Sequence, residues 1–131
     1  MPNFKASHTP DAPQPTGAYS QAIQASGPFL FVSGQTPRLP NGKLLVGASI
    51  GEQTKRVLEN IQAIAQSSGL ELRDTVFMTV YLSDLKYKKE FEEVYSTYFN
   101  DPLPARIVVQ SSFTAFDVEI SAQLQRKNHT P

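Results

Sequence analysis

Two hydrophobic periods alternate along this chain, and the places where one gives way to the other mark its elements. Phe29-Leu30-Phe31-Val32-Ser33 is a compact apolar and β-branched run, which predicts a buried strand. Ala18 to Ser26 has a weaker strand pattern, and Gly27-Pro28 between the two predicts a hairpin. After Gly34 the pattern breaks into a long loop marked by Pro37, Pro40 and Asn41-Gly42, a pair suited to a type I′ turn. The period then changes to that of a helix. Ile50, Thr54, Val57, Leu58, Ile61, Ile64 and Ala65 fall on one stripe, with Lys55, Arg56, Glu59, Asn60 and Gln66 off it. Ser49 with Glu52 forms a capping box at its start and Gly69 a stop at its end, so the helix is expected from about Ile50 to Ser68.

The second half repeats the alternation of periods. Thr75 to Leu82 reads as a strand with Val76, Met78, Val80 and Leu82 on one face and Phe77, Thr79 and Tyr81 on the other. Neither face is very polar, so both are expected to be covered, one by helices and one by a neighbouring subunit. A second helix is expected from about Tyr87 to Phe99. Tyr87, Phe91, Val94, Tyr95 and Tyr98 form its apolar stripe, and Lys88, Lys89, Glu90, Glu92 and Glu93 its wet side. Asp101-Pro102-Leu103-Pro104 leads into two β-rich runs, Pro104 to Val109 and Phe116 to Ala122, read as adjacent strands joined by a short hairpin. The order is β-β-α-β-α-β-β, an α+β fold with a mixed sheet and two helices on one face. The other face carries Phe and Tyr, so a homo-oligomer is expected. One domain spans 1–131. Residues 1–17, with Pro2, Pro10, Pro13 and Pro15, read as an irregular arm, and 126–131 as a polar tail that begins to show at Gln125.

Composition narrows the function. The chain has 131 residues, of which 40% are hydrophobic, enough for a core without staples. It has no cysteine, which excludes a disulfide scaffold, a thiol nucleophile and cysteine-ligated metal. Twelve basic residues balance twelve acidic ones with no run of either sign, so a nucleic-acid partner is disfavoured. No leader pattern and no long apolar stretch is present, so a cytoplasmic chain without membrane contact is expected. His8 and His129 lie towards the ends, and no role is assigned to either.

The chemistry gathers at Arg106 and Glu119. A guanidinium can hold both oxygens of a carboxylate in a planar fork, and a carboxylate nearby can orient water or take its proton. The same residues also fit a strand-end arginine paired with Glu119 for stability, and a glutamate solvated at a polar strand position.

Several blocks, in order, resemble one family. Gly17-Ala18-Tyr19-Ser20-Gln21-Ala22, Val32-Ser33-Gly34-Gln35, Gln53 through Asn60-Ile61, Val80-Tyr81-Leu82-Ser83-Asp84, Phe91 with Tyr98, and Pro104-Ala105-Arg106 followed by Val118-Glu119-Ile120 together resemble the RidA/YjgF enamine/imine deaminases. The resemblance implies a chorismate-mutase-like subunit and a homotrimer with clefts between subunits. It implies hydrolysis of 2-imino acids and their enamine tautomers to 2-keto acids and ammonia, with no cofactor or metal. It assigns Arg106 to the substrate carboxylate, Glu119 to the water, and Tyr19 to a hydrogen bond in the cleft. Ser33 and Gly34 match positions where a hydroxyl and open backbone approach the ligand, and the backbone of Val108 reaches the same cleft.

Three departures touch the pocket wall. Val108 stands where many relatives carry cysteine, and Tyr95 where many carry asparagine. The stretch from Gln110 to Phe116 is short and lacks a Leu-Pro pair. They keep a second reading in play: a trimer that holds a small carboxylate for sensing, or a deaminase for a larger enamine. A nuclease or translation-inhibitor role, which the family's older name carries, gains nothing from a neutral chain.

Overall fold

The computed structural model describes residues 4–126, so His129 and nearly all of the polar tail lie outside the described residues. Six strands and two helices follow in the order β1 (Lys5–Ser7), β2 (Ala22–Gln24), β3 (Phe29–Gln35), α1 (Ile50–Ser67), β4 (Thr75–Leu82), α2 (Lys88–Tyr95), β5 (Ala105–Gln110) and β6 (Val118–Gln125). The four long strands form one mixed sheet in the order β3-β6-β4-β5. β4 and β5 are parallel and the other pairs antiparallel. A parallel pair needs a crossover, and α2 supplies it.

The alternation in β4 and β6 sorts the sheet into two faces. Met78, Val80, Leu82, Val118, Ile120 and Leu124 are wholly buried on one. Val57, Leu58 and Ile61 of α1 and Phe91 and Tyr95 of α2 close over them. Among the described residues no helix covers the other face, where Phe31 is 66% and Ile107 49% exposed.

Helix α1 starts and stops where its sequence says. Ser49 Oγ accepts from the Glu52 N–H at 3.1 Å, and Glu52 Oε1 accepts from the Ser49 N–H at 3.2 Å. At the far end the N–H groups of Gly69 and Leu70 donate to the carbonyls of Gln66 and Ala65, the double bond of a Schellman motif. One buried amide ties the helix to the sheet. Gln53 is 1% exposed. Its Nε2 donates to Ala48 O and Asp117 Oδ2, and its Oε1 accepts from the Asp117 N–H. The other oxygen of Asp117 accepts from Ser83 Oγ at 2.6 Å. Two of the sequence blocks therefore serve a structural clasp at the ends of β4 and β6.

Several expectations are corrected. β2 and β3 do not form a hairpin. β2 pairs with β1, inside the arm expected to be irregular, and β3 pairs with β6. At the intervening turn, Gln125 Oε1 accepts from the N–H groups of both Ser26 and Gly27 and ties it to the end of β6. Gln125 is thus a buried strand residue rather than the start of a tail, and β6 runs three residues past the expected end at Ala122. The arm is further organised by Gln21, which takes the Thr9 N–H and donates to the carbonyls of Thr9, Ala12 and Pro13. β5 and β6 are not neighbours, because β4 lies between them. Asn41-Gly42 is not a type I′ turn. Only Gly42 has positive φ, and its N–H closes on Leu39 O. The regular helix of α2 is shorter than expected, with 3₁₀ turns at Leu85–Tyr87 and Ser96–Tyr98 on either side.

Gln53→Ala should cost about 3 kcal/mol, since it leaves buried partners without hydrogen bonds. Urea denaturation reads this directly, with the exposed Lys55→Ala expected to stay within about 0.5 kcal/mol of the parent.

Candidate active site

Arg106 points from the edge strand β5 toward α2, because it sits in register with Met78 on the helix-covered face. Its side chain is 1% exposed. A buried guanidinium needs a partner, and here it has one. Nη1 donates to Glu92 Oε1 at 2.7 Å and Nη2 to Glu92 Oε2 at 2.6 Å, a bidentate fork. Three rings surround the cation. The centroids of Tyr95, Tyr19 and Phe91 lie 4.8, 5.1 and 5.7 Å from its central carbon.

Tyr19 reaches this place from the N-terminal segment because Ser20 fastens that segment to the loop before β5. Ser20 Oγ donates to Leu103 O at 2.5 Å, and the Ser20 N–H to Pro104 O at 3.1 Å. Gly17 passes so close that a Cβ there would overlap Glu92 Oε2 and lie 3.0 Å from Arg106 Nη2. The Ala18 N–H points at Glu92 Oε1 from 3.5 Å.

The charges follow the packing. Burial alone would raise the Glu92 carboxyl, but the hydrogen bonds and charge of Arg106 outweigh it and hold the group below its ordinary value. Burial likewise opposes the charge on Arg106, and Glu92 more than restores it. Tyr95 is fully buried, and burial pushes its hydroxyl well above the usual phenol range. Its Oη and Arg106 Nε make no well-formed hydrogen bond to any group outside this pair among the described residues. Hydrogen bonding from Thr16 lowers Tyr19.

The second group of expected site residues lies elsewhere. Glu119 is in register with Tyr81 on the uncovered face. It stands three residues further along β4 than Arg106, roughly 10 Å by strand geometry, and on the opposite side of the sheet. Ser33 and Gly34 lie beside it at the bulge where β3 shifts register against β6. A Cβ at Gly34 would overlap the Glu119 carboxylate, so the glycine makes room for that acid. Within the chain, then, Arg106, Tyr19 and Tyr95 form one cluster, with Val108 two residues further along the same strand face, and Glu119, Ser33 and Gly34 form another. The expected Arg106–Glu119 juxtaposition across adjacent strands does not occur within the chain.

Glu92 was missed. The helical pattern placed it on the wet side of α2. The available signal was electrostatic: an arginine on the core side of a strand requires an acid from whatever packs on it, and α2 is rich in glutamate.

The family profile described as Endoribonuclease L-PSP matches residues 9–124. This chain belongs to that family. A RutC family protein of Pyrococcus abyssi is 48% identical over 88% of this chain and 90% of its own length. Two solved structures extend the likeness. RidA from an Antarctic Psychrobacter matches with a TM-score of 0.69 and 35% identity over 90% of this chain and 96% of that one. Yeast Mmf1 matches with a TM-score of 0.71 and 32% identity over 94% and 98%. The RidA/YjgF family named from the sequence blocks is therefore the right one, and its α+β fold with two helices on a mixed sheet is the fold found here. Among the described residues no helix is long and apolar enough to cross a membrane, and no group of three acidic or imidazole side chains is placed to hold a metal.

Removing one member of the Arg106–Glu92 ion pair leaves a buried charge alone, so Glu92→Ala should lose about 3 kcal/mol. The Glu92 carboxyl is depressed in the folded chain, so its contribution is complete above the unfolded value near 4.3 and fades as pH falls through the lower folded value. Urea midpoints followed from about pH 6 down to about pH 3 should show this acid-dependent loss in the parent and a smaller one in Glu92→Gln.

Proposed function

We propose that the chain hydrolyses small 2-imino acids and their enamine tautomers, such as 2-aminoacrylate, to 2-keto acids and ammonia. The reaction takes place in the cytoplasm and uses no cofactor or metal. Water adds to the imine carbon, and the carbon–nitrogen bond breaks as the nitrogen leaves with its protons. The observation that carries this reading is the Arg106 fork. It is a buried planar cation, stacked on aromatic rings, in a geometry that grips a carboxylate by both oxygens. An acid held there would present its 2-carbon to the solvent side. The Tyr19 hydroxyl, beside Thr16, lies within the same cluster.

Glu119 is the group for placing water, and one subunit keeps it apart from Arg106. We therefore read the protein as a homotrimer. The uncovered sheet face, with Phe31 and Ile107, packs against neighbours and carries Glu119, Ser33 and Gly34 of one copy to Arg106, Tyr19, Tyr95 and Val108 of another. The name RidA on a 35% identical structure agrees with the chemistry. The second reading, a trimer that holds a small carboxylate without turnover, draws on Tyr95, whose ring fills the space beneath the guanidinium.

The test generates an imino acid in situ with an amino-acid oxidase and follows loss of its absorbance. The parent should accelerate the loss over buffer, and Arg106→Lys, which keeps the charge but not the fork, should lower kcat/KM by about a hundredfold or more. Binding of 2-keto acids without any acceleration would favour the second reading. Sedimentation should give three subunits for the parent, and Phe31→Glu should shift the mass toward one.

A further inference from the structure

The Arg106 fork is already engaged by a carboxylate of the same chain, and that is the starting point. Glu92 does not lie deep in the protein as Arg106 does. Its side chain is 22% exposed against 1% for its partner. It borders a cleft of about 570 Å³ together with Thr16, Lys88, Lys89, Glu93 and Ser96, a cleft that Arg106 does not line. Its carboxylate therefore stands between the guanidinium and open space. Lys88 lies one helical turn earlier, at the i,i+4 spacing that brings opposite charges together on a helix surface. Glu92 thus has a second partner available on the solvent side, while Arg106 has no second acid beside it among the described residues.

The engagement is also incomplete. Two of the guanidinium's donor atoms serve Glu92, whereas the buried Nε and Tyr95 hydroxyl make no well-formed hydrogen bond to any group outside the Arg106–Tyr95 pair among the described residues. A ligand acid that carries a further acceptor next to its carboxylate, as 2-imino and 2-keto acids do, offers what Glu92 lacks.

We propose that Glu92 is an internal competitor for the Arg106 fork, displaced toward Lys88 when an acid binds, and that it sets the affinity threshold for substrate. This rests on the reading of Arg106 as the carboxylate anchor and adds a residue to it. Binding becomes an exchange of one carboxylate for another. The observed affinity is the intrinsic one multiplied by the fraction of molecules in which Glu92 has let go. A purely structural ion pair predicts the opposite sign, since breaking it would loosen the cluster and weaken ligand binding.

Calorimetric titration with pyruvate, a stable 2-keto acid, separates the two. Glu92→Gln and Glu92→Ala should each bind it about tenfold more tightly than the parent. A folded Glu92→Gln that binds pyruvate equally or more weakly overturns the proposal. Acetate should raise the melting temperature of Glu92→Ala, by filling the fork, well beyond its effect on the parent at equal ionic strength; no such difference overturns it. In the unmutated chain, the carbon-13 signal of the labelled Glu92 carboxyl should move as pyruvate saturates the site, and an unmoved signal at saturation overturns it. The anchor reading is judged separately. If Arg106→Lys binds pyruvate as well as the parent does, or if no variant binds it at all, the fork is not the anchor and the inference falls with it.

Discussion

A guanidinium removed from water must be answered by negative charge and by donor-accepting geometry, and much of this subunit can be traced to that demand. Arg106 enters the interior from an edge strand, where only one side is hydrogen-bonded to a neighbour. α2 crosses above it, and Glu92 meets both terminal nitrogens. Aromatic faces supply the rest of the enclosure, because a ring can be apolar toward the core and still attractive to a cation. The N-terminal segment closes the side, held by Ser20 and admitted only because Gly17 has no side chain to intrude. The pieces come from three separated stretches of sequence, and a single charge gives them a common purpose.

A division of labour runs through the sheet. Its covered face holds the core and the cation. Its uncovered face holds an acid, a bulge that makes room for it, and exposed aromatic and aliphatic side chains. A sheet with such a face gains by pairing with other copies, since apolar area then leaves water.

The sequence made local features readable and left remote ones obscure, for a physical reason. The capping box at Ser49, the stop at Gly69, the stripe of α1 and the two faces of β4 each depend on neighbours within a few positions, and all were legible. Strand pairing depends on partners far along the chain. The runs ending at Val109 and beginning at Phe116 look like a hairpin until β4 is found between them. β2 pairs with Lys5–Ser7, far back in the chain, and the turn after it is tied to Gln125, whose side-chain oxygen accepts from two backbone donors about a hundred residues away in sequence. At the site, the identity of Arg106 could be read from its motif, but not its partner. Glu92 sits among five charged residues of one helix, and periodicity alone does not say which of them turns inward.

Helix α2 deserves a last look as a heritable unit. Phe91, Glu92 and Tyr95, which between them floor and cap the cation, all fall within five consecutive positions. The sheet that presents the arginine is encoded elsewhere. Mutations confined to this short codon window would change the ligand's surroundings and the core together, because Phe91 and Tyr95 are also wholly buried, so divergence of ligand preference here is coupled to stability.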